Sequence, residues 1–199
     1  MTLVLATTNK NKILEMKDLL GDFSVDVKTQ AELGLDLDPE ETGYTFFDNA
    51  VIKASAVCEA SGYPAVADDS GLMVDCLGGE PGVFSKRYGG GNLSDSELCE
   101  YLLENMKDSE QRSAKFVSCI VCVFPDGQIV SAEGECRGSI TRSPSGTNGF
   151  GYDPVFYADS LGKTMAEMTQ DEKNLISHRG NATRLFRVKF EEFIENIKR

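Results

Sequence analysis

No segment of this 199-residue chain approaches the roughly 20 consecutive apolar residues needed to cross a bilayer as a helix. Positive charge is scarce too: 20 Lys and Arg stand against 32 Asp and Glu, for a formal net charge of −12. Phosphate backbones and anionic membranes need a basic surface, so neither is an expected partner. A phosphate-bearing small molecule stays open, provided a local cluster of Lys and Arg, a metal ion, or both meets it. The start, Met1 to Ala6, is too short an apolar run for a signal peptide and has no basic flank, which sets the expectation of a cytoplasmic protein. Histidine occurs once, as His178.

The six cysteines are scattered over a chain large enough to fold without bridges. Cys119 and Cys122 have the spacing of a zinc or redox pair, but they lie in Phe116–Phe124, an apolar run that reads as a strand. Three residues apart on a strand, their side chains face opposite ways. All six are expected to be free thiols.

At this length one well-buried core is expected, in a single domain over residues 1–199. Leu3 to Ala6 reads as a buried strand, and Thr7-Thr8-Asn9 caps a helix over Lys10 to Leu20. A helix N-terminus offers free N–H groups and a positive dipole end to a phosphate, and Lys12 sits in that first turn. Val25 to Val27 suggests a second strand. After the acidic loop Pro39-Glu40-Glu41-Thr42-Gly43, a helix from Phe46 to Ala60 is expected to turn Phe47, Ala50, Ala54 and Val57 inward and to carry Lys53 on its flank. Glu40 and Glu41 would complement that helix's dipole, or would serve as metal ligands opposite Asp69.

The centre of the chain is Pro64-Ala65-Val66-Ala67-Asp68-Asp69-Ser70-Gly71. If Ala65 to Ala67 is a buried strand, Asp68 and Asp69 stand at its C-terminal mouth and point to opposite sides. Open α/β sheets bind ligands at that edge, although Asp, Ser and Gly are also ordinary turn formers. Leu72 to Cys76 reads as a further strand. Ser94 and Glu97 have capping-box spacing before a helix with Leu98, Tyr101, Leu102 and Met106 inward. Ala114–Phe124 and Gln128–Cys136 flank an Asp-Gly turn and read as a hairpin. In Gly146-Thr147-Asn148-Gly149-Phe150-Gly151-Tyr152-Asp153-Pro154, glycines permit close approach to a flat ligand, Phe150 offers a ring and Asp153 an acceptor. Thr169 and Glu172 again have capping-box spacing, ahead of Lys173 and of Ser177-His178-Arg179-Gly180. A last helix carries Phe186, Phe190, Phe193 and Ile197 at helical spacing, a packing stripe.

Taken in order, Thr7-Thr8-Asn9-x-x-Lys12, Glu40-Glu41-Thr42-Gly43, Ala67-Asp68-Asp69-Ser70-Gly71, Phe150-Gly151-Tyr152-Asp153-Pro154 and Lys173…Ser177-His178-Arg179-Gly180 resemble the inosine triphosphate pyrophosphatase family, from Leu3 to about Leu185. The resemblance implies an elongated mixed α/β fold with a central sheet flanked by helices and a substrate cleft between two lobes, usually as a homodimer. It implies Mg²⁺-dependent cleavage of inosine, deoxyinosine and xanthosine triphosphates between the α and β phosphates. One departure is Thr8, where the family usually has glycine; a side chain there would narrow the phosphate loop.

On that resemblance Asp69 is the proton acceptor, with Asp68 as runner-up, and Asp69 with Glu41 or Glu40 holds Mg²⁺. Thr7, Thr8, Asn9, Lys12, Lys53, Ser70 and Lys173 meet the phosphates. Phe150 stacks on the base beside Gly151, Tyr152 and Asp153, while His178 and Arg179 donate to its 6-oxo group. Competing readings are a pyrophosphatase for modified pyrimidine or other damaged nucleotides, a non-catalytic nucleotide sensor, and an aspartyl-phosphate phosphatase. The last is weakened because the acids are adjacent rather than spaced Asp-x-Asp.

Overall fold

Apolar Thr2–Leu5 forms β1, and Lys10–Leu20 forms α1 directly after it. The computed structural model describes residues 1–21, 23 and 25–197. β2 (Asp26–Thr29) runs parallel to β1 with Leu3 opposite Val27, and β3 (Ala65–Val74) lies parallel on the other side with Val4 opposite Ala65. Between β2 and β3 comes α2 (Phe46–Ser61). A reciprocal capping box of Thr45 and Asp48 starts it, and Gly62, at φ 71°, stops it.

α3 (Asp95–Asn105) precedes β4 (Ser113–Val123), β5 (Ile129–Ile140), β6 (Phe156–Ala158) and β7 (Lys163–Thr164); α4 (Gln170–Ile176) and α5 (His178–Ile197) follow. The seven strands form one sheet in the order β2-β1-β3-β4-β5-β6-β7, antiparallel from β5 to β7. The architecture is therefore the expected mixed α/β sheet with helices. The expected turn between β4 and β5 forms, with Phe124 N–H donating to the Gln128 carbonyl at 2.9 Å.

The chain divides into two compact units. The first comprises Met1–Asp69, Ser118–Gly134 and Ala182–Arg199; the second comprises Ser70–Val117 and Glu135–Asn181. Each has its own apolar core. In the first, Leu3, Leu5, Met16, Leu20 and Ile120 pack with Phe186 and Phe190 of α5. In the second, Leu72, Leu102, Met106, Phe116, Phe156 and Met165 pack together. All six cysteines are free.

Several side chains depart from the sequence expectation. Phe46, not Phe47, is the buried ring of α2, and Phe47 is 41% exposed. The Thr45 cap sets the phase of the helix and turns Phe47 outward. Tyr101 is 42% exposed and meets Tyr88 edge-on at 5.1 Å instead of entering the core. Ile197, in the last turn of α5, is 55% exposed. Most important, Ala65–Val74 is one strand rather than two, and Cys76 falls in the 3₁₀ turn Asp75–Leu77. Asp68 and Asp69 thus lie within β3, not at its mouth. Apolar neighbours on either side and a central place in the sheet override the turn preference of Asp-Asp-Ser-Gly.

Candidate functional site

An interior strand that carries two adjacent carboxylates has to satisfy them, because an unpaired buried charge costs several kcal/mol, on the order of 3–5 when a partner is removed. Asp68 and Asp69 are 4% and 6% exposed. Strand alternation sends them to opposite sides, and each side supplies its own partners. Asp68 receives Lys12 Nζ at 3.0 Å and the buried Ser118 hydroxyl of β4. Asp69 receives Lys53 Nζ at 2.7 Å on one oxygen and the Asn49 side-chain amide at 3.4 Å on the other.

Lys53 also reaches Glu41 at 2.9 Å and the Asp68 carbonyl at 3.2 Å. Burial works against its charge, but Asp69 and Glu41 outweigh that and hold it above the ordinary ammonium value. Burial likewise pushes Asp69 above the usual carboxylate range, although Lys53 and Lys12 pull the other way. The result is a basic carboxylate beside fixed positive charge. Glu41 is half-buried in this group, whereas Glu40 is exposed. Among the described residues no three His, Cys, Asp or Glu side chains converge as a ready-made metal cage. Glu41 and Asp69, gathered on one ammonium, are the carboxylates placed to share a cation.

The start of α1 is built as the sequence predicts. Asn9 caps it, accepting from the N–H groups of Asn11 at 2.9 Å and Lys12 at 3.2 Å, and Thr7 Oγ1 accepts from Asn9 N–H at 3.2 Å. Thr8 is exposed, and no non-glycine among the described residues has a positive φ. Its side chain therefore sits there without backbone strain.

In the second unit the glycine-rich loop is pinned by one acid. Asp153 accepts from Phe150 N–H at 2.9 Å and from Lys173 Nζ at 2.8 Å. Gly149, at φ 75°, leaves room for that carboxylate, which a Cβ at this position would strike. Gly151 is held from α3: its N–H donates to Asp95 at 2.7 Å and its carbonyl accepts from the Cys99 thiol at 3.4 Å. The Phe150 ring lies 5.0 Å from Lys173 Nζ and 5.9 Å from the Arg179 guanidinium, both within cation–π range.

Arg179 is 2% exposed and donates to Ser70 Oγ at 3.0 Å. His178 stacks on Phe116, with ring centres 4.7 Å apart. Both stand at the start of α5, where the Ser177 hydroxyl accepts Gly180 N–H at 3.0 Å in the manner of an N-cap. Tyr152 turns inward and donates to the Ser85 carbonyl at 2.9 Å, which commits its side chain to the core.

The structure thus collects Lys12, Glu41, Lys53, Asp68 and Asp69 in the first unit, and Ser70, Phe150, Asp153, Lys173, His178 and Arg179 in the second. Asp69 and Ser70 are consecutive residues of β3. Sequence reasoning missed three members. Asn49 and Ser118 are fully buried; Ser118 was visible as a lone polar residue in an apolar run, and Asn49 as a polar residue one turn before Lys53 on the inward side of α2. Asp95 gave no such signal, since an acid in the first turn of a helix needs no further explanation.

Residues 3–189 match the Ham1 family. The dITP/XTP pyrophosphatase of Escherichia coli (strain K12) is 48% identical over 186 residues, covering 92% of this chain and 94% of that protein. The dITP/XTP pyrophosphatase of Synechococcus sp. (strain CC9311) is 49% identical over 195 residues, covering 98% and 92%. Among solved structures, the Staphylococcus aureus Ham1 protein superposes with a TM-score of 0.87 at 41% identity, over 96% of this chain and 99% of that one. A HAM1 protein from Coxiella burnetii gives 0.88 at 42% identity, with the same coverage.

Proposed function

Because the chain belongs to the Ham1 family, we propose that it hydrolyses inosine, deoxyinosine and xanthosine triphosphates between the α and β phosphates, giving a nucleoside monophosphate and pyrophosphate. The observation that carries this reading is the Asp69 group: a buried carboxylate raised above its ordinary range, held by Lys53 beside Glu41. In this reading Asp69 is the proton acceptor for the attacking water. Asp68 is the runner-up, held on the other face of β3 by Lys12 and Ser118, away from Lys53 and Glu41.

The substrate brings roughly four negative charges into an acidic protein. Lys12, Lys53 and Lys173 answer them, together with the N–H groups that open α1 around Thr7, Thr8 and Asn9, and Ser70 contacts a phosphate. The donor set fits Mg²⁺, which takes one or two carboxylates plus water and phosphate oxygens. Glu41 and Asp69 would hold it, with exposed Glu40 at the margin. When bound it supplies charge neutralisation at the leaving pyrophosphate and a more acidic water. Lys53 holds the two carboxylates close to one another.

Phe150 stacks on the base, with Gly151 and Tyr152 contributing backbone and Asp153 fixing the loop. His178 and Arg179 donate to the 6-oxo group. Adenine carries an amino donor there, and a pocket built on hydrogen bonds can reject such an analogue by about 10⁴ or more. We take the working enzyme to be a cytoplasmic homodimer, which light scattering would report as twice the 21.7 kDa chain mass.

A pyrophosphate-release panel tests the reaction. Inosine, deoxyinosine and xanthosine triphosphates should be cleaved only with Mg²⁺, and adenosine triphosphate hardly at all. Binding without release, or equal rates on adenosine triphosphate, would overturn the reading.

A further inference from the structure

Asn49 is a carboxamide with no exposure, on the inward side of α2. Its two ends make different bonds. The oxygen accepts the Gly43 N–H at 2.8 Å, and the nitrogen donates to Asp69 Oδ2 at 3.4 Å. The orientation of the amide is fixed by chemistry, since a backbone N–H can meet only an acceptor and a carboxylate only a donor. Gly43 lies close against the first turn of α2: a Cβ there would lie 2.5 Å from the Asp48 Cβ, 2.7 Å from the Asn49 oxygen and 2.9 Å from the Asn49 backbone nitrogen. Two residues before Gly43 stands Glu41, bonded to Lys53, which returns to Asp69. The contacts close a ring running Asp69, Asn49, Gly43, Glu41, Lys53 and back to Asp69.

We propose that Asn49 is a positioning residue for the reaction, setting the distance between Glu41 and Asp69 by tying the acidic loop to the strand. The inference rests on the function proposed above and deepens it. Lys53 alone does not fix that distance, because an ammonium on four rotatable carbons accommodates many carboxylate placements. A planar amide on a helix has few degrees of freedom. It holds a loop at one end and a carboxylate at the other, and it aims Asp69 by engaging the oxygen that Lys53 leaves. Asn49 touches no substrate in this assignment; it acts through the two acids.

Asn49→Leu keeps the approximate volume and removes both bonds, while Asn49→Asp keeps the acceptor for Gly43 and loses the donor to Asp69. Two measurements separate positioning from general packing. The first is amide hydrogen exchange at Gly43 in the metal-free protein, expected fast in Asn49→Leu and protected in Asn49→Asp and wild type. The second is steady-state kinetics on inosine triphosphate across a Mg²⁺ titration. A misplacement near 1 Å costs about 10²-fold, so kcat should fall by about that factor in both variants. KM for the nucleotide should change less than about threefold, because its lysine and base contacts remain. Half-saturation in Mg²⁺ should rise in Asn49→Leu, where the loop is untied, and excess Mg²⁺ should restore part of its rate. Gly43 protected in Asn49→Leu, or wild-type kcat and Mg²⁺ dependence in both variants, would overturn the inference while wild-type activity leaves the function standing. A wild-type protein that releases no pyrophosphate would instead remove the reading beneath it.

Discussion

The two groups of candidate site side chains are held by different means. In the first unit all the acids and lysines but Glu41, which lies on the loop before α2, come from regular elements: Lys12 from α1, Lys53 from α2, Asp68 and Asp69 from β3. Their charges are matched pairwise, Lys12 with Asp68 and Lys53 with Asp69 and Glu41. In the second unit Phe150 rides on a glycine loop, pinned at Asp153 and propped by Asp95 and Cys99. A group carried on a sheet and two helices is stiff, and its weakness is electrostatic. A group carried on a loop is adaptable, and its weakness lies in its supports. In the proposed function the first group serves chemistry common to every triphosphate, while Phe150, His178 and Arg179 of the second serve discrimination between bases, with Lys173 and Ser70 of the second unit turned to the phosphates.

The largest test of this contrast falls on the stiff side. Asp69→Asn keeps shape and removes the proposed base, so kcat should drop by about 10³-fold or more. The melting temperature should move little, because Lys53 keeps Glu41 as a partner. Near-normal turnover would shift the proton acceptor to the other face of β3, onto Asp68. A smaller effect is expected from Arg179→Met in the second unit. Loss of a hydrogen bond from a charged donor costs about 1.5–3 kcal/mol, or about 10–100-fold in kcat/KM on inosine triphosphate. The same change should leave adenosine triphosphate nearly unaffected, so the preference narrows. Equal losses on both substrates would place Arg179 on a phosphate and dissolve the division of labour.

Much of this was legible in the chain because local rules and the fold agree. The caps at Asn9, Ser94 and Thr169, and the helix over Lys10–Leu20, follow from short-range chemistry that tertiary packing does not overturn. The alternation of Asp68 and Asp69 followed from strand geometry. That they sit inside β3 did not, because continuation through Ser70 and Gly71 lies past the β1 pairing, which ends at Val66, beside β4, which is remote in sequence. Phe46 and Phe47 were indistinguishable by hydrophobicity, and only the helix phase separates them. That Glu41 rather than Glu40 joins Lys53 was likewise invisible in the chain. Asn49, Ser118 and Asp95 escaped for the same reason: each works through a partner 20 to 56 positions away.

The smallest expected effect compares one buried thiol from each unit. Burial, then Asp95 and Asp153, push Cys99 up to about 12, and burial raises Cys122 as well. Below pH 9 both thiols are protonated whether folded or unfolded, and they contribute no pH dependence. Above pH 9 the unfolded thiol ionises while the folded one does not, so the unfolded chain binds fewer protons. Stability must then fall as pH rises towards 12, by up to about 1.4 kcal/mol per pH unit for each fully linked thiol. Cys99→Ala and Cys122→Ala should each flatten the alkaline loss of melting temperature, by similar amounts. Only Cys99 supports the loop, through the Gly151 carbonyl. At pH 7.5 Cys99→Ala should therefore raise KM for inosine triphosphate about 2–5-fold, the worth of one modest hydrogen bond, while Cys122→Ala leaves KM alone. An equal rise from Cys122→Ala would mean that the stiff group, too, depends on the packing beneath it, and the contrast between the units would be one of degree.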